Sequence, residues 1–296
     1  MSQHVQVSRS TQGREAAAQR GEAERSASPR ETEASEGHQN GAVIELAGVH
    51  KAFGRQPVLR GVDLAIRGGE TFTILGGSGS GKSVCLKHMI GLLRPDRGRV
   101  RVLDTDITDL PEHALVETRT AVSMIFQSAA LFDSLSVFEN VAYPLREHRR
   151  WSEEQVAQRV AESLAAVGLS GVERKMPAQL SGGMRKRVGV ARGVALEPRV
   201  ILYDEPTTGL DPANQRRIAD MMRTLQSELH VTSVVVTHEL ELCFAVSDRV
   251  ALLKDGRIAA QGTADEMRES GDPAVRDFLD GVRDTPDDFQ GGDSHA

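Results

Sequence analysis

The run GGSGSGKS at Gly76–Ser83 sets glycines at Gly76, Gly77, Gly79 and Gly81 among Ser78 and Ser80, and closes on Lys82 and Ser83. It fits the pattern G-x-x-x-x-G-K-[ST]. Without a Cβ, glycine lets the chain curl until several N–H groups aim at one centre, and a helix opening at Gly81 adds its own unpaired N–H groups. Such a centre attracts phosphate. Lys82 is placed to reach β- and γ-phosphates, and the Ser83 hydroxyl to bind Mg²⁺. The bland alternative is a flexible glycine turn. The strand-like run TFTIL before the loop and the helical spacing after it argue against that.

Further along, the apolar run VILY ends in Asp204–Glu205. A carboxylate at the tip of a buried strand beside a phosphate loop can hold Mg²⁺, directly or through water, and Asp204 is placed for that. Glu205 is the next residue, so its side chain points elsewhere, toward a water attacking the γ-phosphate. It is assigned as general base or water-positioning group. His238 follows VVVT; a parallel neighbouring strand would bring it to the same γ-phosphate. Gln127, after SMIF, is placed to touch Mg²⁺ or the attacking water. An acidic pair or a single histidine after a strand is by itself usually surface decoration. The order of these residues behind a phosphate loop is what assigns them to one site.

Strands and helices must position them. AVIELAGVHKAF and VLRGVDLAI read as paired strands around a turn at Gly54–Pro57. TFTILG is a strand ending in glycines, and GKSVCLKHMIGLL has apolar residues at helical spacing, with Pro95 beyond its end. RTAVSMIFQ reads as another strand, and residues 128–197 as mostly helical, with a capping box at Ser152 and Gln155 and a helix end at Gly168. RVILYDEP, TSVVVTHE and DRVALLKDGRIAAQG are further strands, the last with a hairpin signal at Asp255–Gly256. Alternation of strands and helices predicts a mainly parallel sheet covered by helices.

Composition narrows the class. The chain of 296 residues carries a net charge of −6, which argues against nucleic acid as a partner. Its two cysteines, Cys85 and Cys243, lie far apart and read as small core hydrophobes. No stretch reaches 18 apolar residues, and the N-terminus has no apolar core of a secretory signal, so any membrane span belongs to another chain. Residues 1–41 lack Phe, Trp and Tyr, are rich in Ser, Glu, Gln, Arg and Gly, and read as a disordered tail. From Asp280, five Asp against one Arg read as an acidic tail.

LSGGMRKR at Leu180–Arg187 closely resembles the LSGGQ signature of ABC ATPases. The order of motifs is similar to that family as well: Phe53, the phosphate loop, Gln127, the signature, Asp204–Glu205, the loop TTGLDP with Asp211, and His238. The similarity covers about residues 42–265. It implies an α/β fold, an ABC-type P-loop nucleotide-binding domain with a RecA-like core, an antiparallel β subdomain and a helical subdomain at about 128–197. Residues 266–296 then form a C-terminal helix and acidic tail. It implies hydrolysis of ATP with Mg²⁺, Phe53 stacking on adenine, Asp211 in the nucleotide site, and Gln127 sensing a membrane partner. It implies that two copies meet head to tail, with Ser181, Gly182 and Gly183 of one contacting the γ-phosphate held by the other. These three residues open a helix and so make a second anion site, which a C2 dimer would complete.

Met184, where the signature usually has Gln, narrows the likeness. With Val84, GGSGSGKSVCLKHMIGLLRPD, FQSAALFDSLSVFENVAYPLREH and FLDGVRD, it resembles the ATPases of Mla/Mce phospholipid transporters. That resemblance implies a permease with Mce-domain and STAS-domain subunits, and a place on the cytoplasmic face of the inner membrane. The alternatives are another cargo, or a soluble ABC protein of DNA repair or translation. The latter class usually carries a coiled-coil insert or two ATPase units, and neither is present here. Arg185, Lys186 and Arg187 read as solvated or acid-paired rather than as a lipid patch. ALFDSLSVFENV reads as mostly core, with some residues lining a groove for a permease helix.

Overall fold

The computed structural model describes residues 41–147 and 151–283. The strands are β1 (Ala42–Phe53), β2 (Gln56–Arg67), β3 (Thr71–Leu75), β4 (Arg97–Val102), β5 (Thr105–Asp106), β6 (Val122–Ile125), β7 (Val200–Asp204), β8 (Thr232–Thr237), β9 (Arg249–Lys254) and β10 (Arg257–Thr263). The helices are α1 (Lys82–Met89), α2 (Leu115–Ala121), α3 (Val137–Glu147), α4 (Glu153–Ala166), α5 (Gly182–Val194), α6 (Pro212–Leu229), α7 (Leu240–Val246), α8 (Ala264–Glu269) and α9 (Pro273–Arg283).

Two sheets result. The first is antiparallel, in the order β2-β1-β4-β5. Along β2 apolar residues alternate inward, so one face is buried and the other solvated. The second has the order β10-β9-β3-β8-β7-β6 and is parallel apart from β10, which returns antiparallel along β9. The turn between β9 and β10 is Asp255–Gly256, both at positive φ (51° and 74°), as a two-residue hairpin of right-handed twist requires. TFTIL, VILY and TSVVVT are buried along their whole lengths, because helices cover both faces of a parallel sheet. β3, β8, β7 and β6 are adjacent in that order. The residues that follow them, Gly76, His238, Glu205 and the Phe126–Gln127 pair, therefore emerge at one edge of the sheet.

Several boundaries differ from the sequence expectation. The helix after the phosphate loop stops at Met89 because Gly91 turns the chain left-handed (φ 68°), so Leu92 and Leu93 lie outside it. In RTAVSMIFQ, the first three residues finish α2 and the strand begins at Val122. β4 and β5 were not expected: RVRV alternates Arg outward and Val inward, but the run is short and flanked by glycine. Gly98 there has φ 93°, and a Cβ would sit 2.4 Å from Gly48 O, so only glycine closes β4 onto β1. The boundary placed at residue 265 falls inside α8, and Asp280 belongs to α9 rather than to a tail. Val275 and Leu279 of α9 are buried with Leu75, Val250 and Leu252, which ties the helix to the central sheet. The expectations for residues 1–40 and 284–296 lie outside the described residues.

The segment between β6 and β7 is built on α3, α4 and α5, whose apolar faces share one core. Ser152 and Gln155 form the expected capping box of α4, and Gly168 ends it at φ 65°. Asn140 is fully buried; its Oδ1 accepts from Phe132 N (2.8 Å), and its Nδ2 lies 3.0–3.1 Å from the carbonyls of Phe132, Leu135 and Ser136. Removing that amide strands buried backbone groups. Asn140→Ala is expected to lower stability by about 2–3 kcal/mol in urea unfolding. A change within experimental error would show that water replaces the side chain there.

Candidate functional site

The phosphate loop joins β3 to α1. Gly76 has no room for a side chain: a Cβ would lie 2.5 Å from Leu253 O and 2.8 Å from Ser80 Oγ. Gly81 is left-handed (φ 105°) and begins α1 without a side-chain cap, so the first N–H groups of the helix face the loop unpaired by any cap. Ser80 Oγ is buried there with no hydrogen-bond partner. A loop with uncapped N–H groups and an orphaned hydroxyl fits a phosphate ligand.

Lys82 is 6% exposed, and its Nζ donates to Gly76 O at 2.8 Å and Gly77 O at 3.0 Å. It also lies 3.3 Å from Glu205 Oε1. Ser83 Oγ donates to Asp204 Oδ1 at 2.7 Å, bringing two hard oxygens together, a donor set that suits Mg²⁺.

Glu205 leaves the end of β7 at φ 48°, a left-handed conformation that costs a non-glycine residue about 1 kcal/mol. Its N–H donates to Val236 O at 3.0 Å, which fixes the turn. This turn swings the carboxylate between three groups: Lys82 at Oε1, His238 Nδ1 at 2.9 Å from Oε2, and the Thr208 hydroxyl at 3.3 Å from Oε2. A carboxylate only accepts, so Nδ1 of His238 carries the proton and Nε2 is left for a ligand. His238 is 49% exposed, open to what the loop binds.

The other expected site residues are placed less closely. Gln127 is exposed and makes no hydrogen bond with Ser83, Asp204 or Glu205. Phe53 ends β1 at 49% exposure, with Lys51 Nζ 5.9 Å from its ring centre. Ser181 caps α5 by accepting from Met184 N at 3.2 Å, with Gly182 and Gly183 as the first helical residues. Asp211 caps α6 and bonds Asn214 twice, which holds its carboxyl below the usual carboxylate range.

Some features the sequence did not announce. Gly77–Ser80 open onto a cavity of about 490 Å³, whose other walls include Val58, Arg60, Lys254, Asp277 and Phe278. These come from separate segments, so no spacing could signal them. Glu239, beside His238, accepts from the buried Thr207 hydroxyl at 2.7 Å. Of the three cations read as solvated or acid-paired, Arg185 is exposed while Lys186 and Arg187 are half-buried, and each donates to backbone carbonyls, of Leu180, Thr208, and Val167 with Gly168. The cysteines are buried and form no disulfide, with the Cys85 thiol pushed up to about 12 by burial.

A second concavity, about 640 Å³, lies beside the Gln127 turn. Its wall is apolar and aromatic, with Leu92, Phe126, Phe132 and Tyr143 exposed and the last two rings 5.0 Å apart. Of ALFDSLSVFENV, Phe132 lines this groove while Val137 and Val141 are core. Arg192 holds the turn from beneath, donating to Ala129 O at 3.0 Å and Ala130 O at 2.8 Å, and both alanines are left-handed.

The family model described as ABC transporter matches residues 59–208. The chain is 41% identical to the "Probable ribonucleotide transport ATP-binding protein mkl" of Mycobacterium tuberculosis, over 84% of this chain and 69% of that one. It is 38% identical to the intermembrane phospholipid transport system ATP-binding protein MlaF of Escherichia coli, over 86% of this chain and 95% of that one. Among solved structures, a dimeric ATP-binding cassette in a post-hydrolysis state, bound to ADP and Pi, superposes with a TM-score of 0.69 at 33% identity, covering 75% of this chain and 98% of that one.

Proposed function

This chain belongs to the ABC transporter ATPases, and from that premise we propose that it drives a phospholipid transporter, with Glu205 as the base of its hydrolytic site. The family membership makes it an ATP-binding, ATP-hydrolysing protein. The observation that carries the site is the Glu205 carboxylate, held between Lys82 and His238 at the edge of the parallel sheet.

Gly76–Ser83 bind the triphosphate, and Phe53 stacks on the adenine. Ser83 and Asp204 would hold Mg²⁺, with Gln127 as a further oxygen donor, and the ion would supply positive charge against the phosphates. Glu205 takes a proton from water as its oxygen bonds to the γ-phosphorus, and the bond to the β–γ bridging oxygen breaks. His238 lies near the γ-phosphate and donates Nδ1–H to Glu205, which orients that carboxylate. Lys82 turns from its loop carbonyls to the phosphates. Ser181, Gly182 and Gly183 serve the site of a second copy, Asp211 belongs to the nucleotide site, and the solved cassette that superposes on this chain is a dimer. No helix among the described residues is long and apolar enough to cross a membrane, which fits a peripheral subunit acting through a permease. The aromatic groove beside Gln127 is the surface for that permease: it is apolar, and its floor is the turn that carries Gln127.

Phospholipid is the cargo best supported, because the likeness to MlaF spans nearly the whole of that protein. The name of the mycobacterial relative favours ribonucleotides as the second reading. The complex, purified with its membrane partners and reconstituted in liposomes, is expected to transfer a fluorescent phospholipid only with ATP. ATP-dependent ribonucleotide movement without lipid transfer would reverse the choice. Mce-domain and STAS-domain subunits are expected in the same preparation.

A further inference from the structure

Of the three cations that follow the signature, Lys186 is held in a way its neighbours are not. Its Nζ donates to Thr208 O at 2.7 Å. Thr208 also touches the Glu205 carboxylate through its hydroxyl, at 3.3 Å. One residue thus meets α5 with its carbonyl and the proposed base with its side chain. The preceding residue, Thr207, is fully buried and donates to Glu239. Burial holds the Lys186 ammonium below its usual range, against smaller opposing effects of the Glu239 and Glu205 carboxylates. An ammonium so placed is fixed by its partners rather than solvated. The start of α5 meets the same region again. Gly183 lies so close to Asn214 that a Cβ would be 2.8 Å from its Oδ1, and Asn214 is bonded to Asp211.

We propose that Lys186 is a positioning residue that ties the signature helix α5 to the Thr207–Thr208 loop behind Glu205, so that the two phosphate half-sites of one chain shift together. This rests on the roles proposed above for Ser181–Gly183 and Glu205. A phosphate gripped at the Ser181 end pulls on α5, and Lys186 passes the displacement to the residue that touches Glu205. Hydrolysis in one composite site is thereby set by what the same chain holds in the other.

The test is steady-state ATPase kinetics of the full chain, with binding of the fluorescent analogue MANT-ATP measured alongside. Lys186→Met is expected to lower kcat about tenfold and to reduce cooperativity in ATP, while the Kd for MANT-ATP stays within twofold. Lys186→Arg, which keeps a charged donor, is expected to recover most of the rate. Glu239→Gln keeps an acceptor for Thr207 and removes a charge acting on Lys186; it should lower kcat but add no further loss to Lys186→Met. It also probes the tie should Lys186→Met fail to fold. An unchanged kcat in Lys186→Met, no recovery in Lys186→Arg, or losses that multiply in the double variant would each overturn the proposal. If Glu205→Gln itself turns over normally, the assignment of the base fails instead, whatever Lys186 does.

Discussion

Glutamine in place of Glu205 is expected to slow ATP turnover by about 10²–10⁴-fold while ATP binds at least as tightly as before. The rate falls because an amide cannot take the proton from water. Affinity holds for a separate reason. In this structure one oxygen of Glu205 lies 3.3 Å from Lys82, the cation the γ-phosphate must engage. The carboxylate competes for that lysine and repels the incoming phosphate, and opposite charges about 4 Å apart near a protein surface attract by roughly 4 kcal/mol. Glutamine removes both effects and keeps the shape. Phosphate release and MANT-ATP titration on one preparation separate rate from affinity. A normal rate would remove Glu205 as the base; weakened binding would show that its charge supports the loop rather than opposing the ligand.

Lys82→Ala is expected to weaken ATP binding by about 3 kcal/mol, roughly 10²-fold, through the loss of charge-assisted bonds to phosphate. The same change removes the bonds from Nζ to Gly76 O and Gly77 O, so part of the effect would come from a loosened loop. Lys82→Met keeps most of the alkyl chain and serves as the control. Each variant should melt near the native temperature without ligand and lose the upward shift that ATP gives the native protein, since only a ligand that binds the folded state raises its melting point. Retained ATP-dependent stabilisation in both would contradict the role of Lys82 in the loop.

The chemistry was more legible in the sequence than its surroundings. TFTIL, VILY and TSVVVT announce buried parallel strands because the sheet needs apolar residues on both faces, and the charged or glycine residues after each run mark the edge where chemistry sits. The placement of Glu205 and His238 at neighbouring strand ends was readable from the order of the runs. Their direct bond was not, because it depends on a left-handed turn at Glu205 that no neighbouring glycine signals. Lys186 was unreadable for a related reason. Three cations in a row look solvated, and only the fold shows that each faces a carbonyl. β4 escaped because arginines interrupt its apolar residues, β5 because it is only the polar pair Thr105–Asp106, and the walls of the phosphate-side cavity because they come from distant segments.

The adjacency of β6 and β7 has a wider consequence. The chain leaves the sheet after one and re-enters on its hydrogen-bonded neighbour, so everything between is attached at two points about 5 Å apart. An insertion anchored that narrowly behaves as a module on a pivot. It can lengthen or shorten over evolutionary time while Asp204, Glu205 and His238 stay at the ends of the paired strands β7 and β8, and Lys82 follows β3 through the phosphate loop. The signature helix belongs to this module, and the apolar groove lies where the module meets β6 and the segment after α1. Variation in that module and preservation of the spacing at the candidate site are thereby assigned to different parts of one chain.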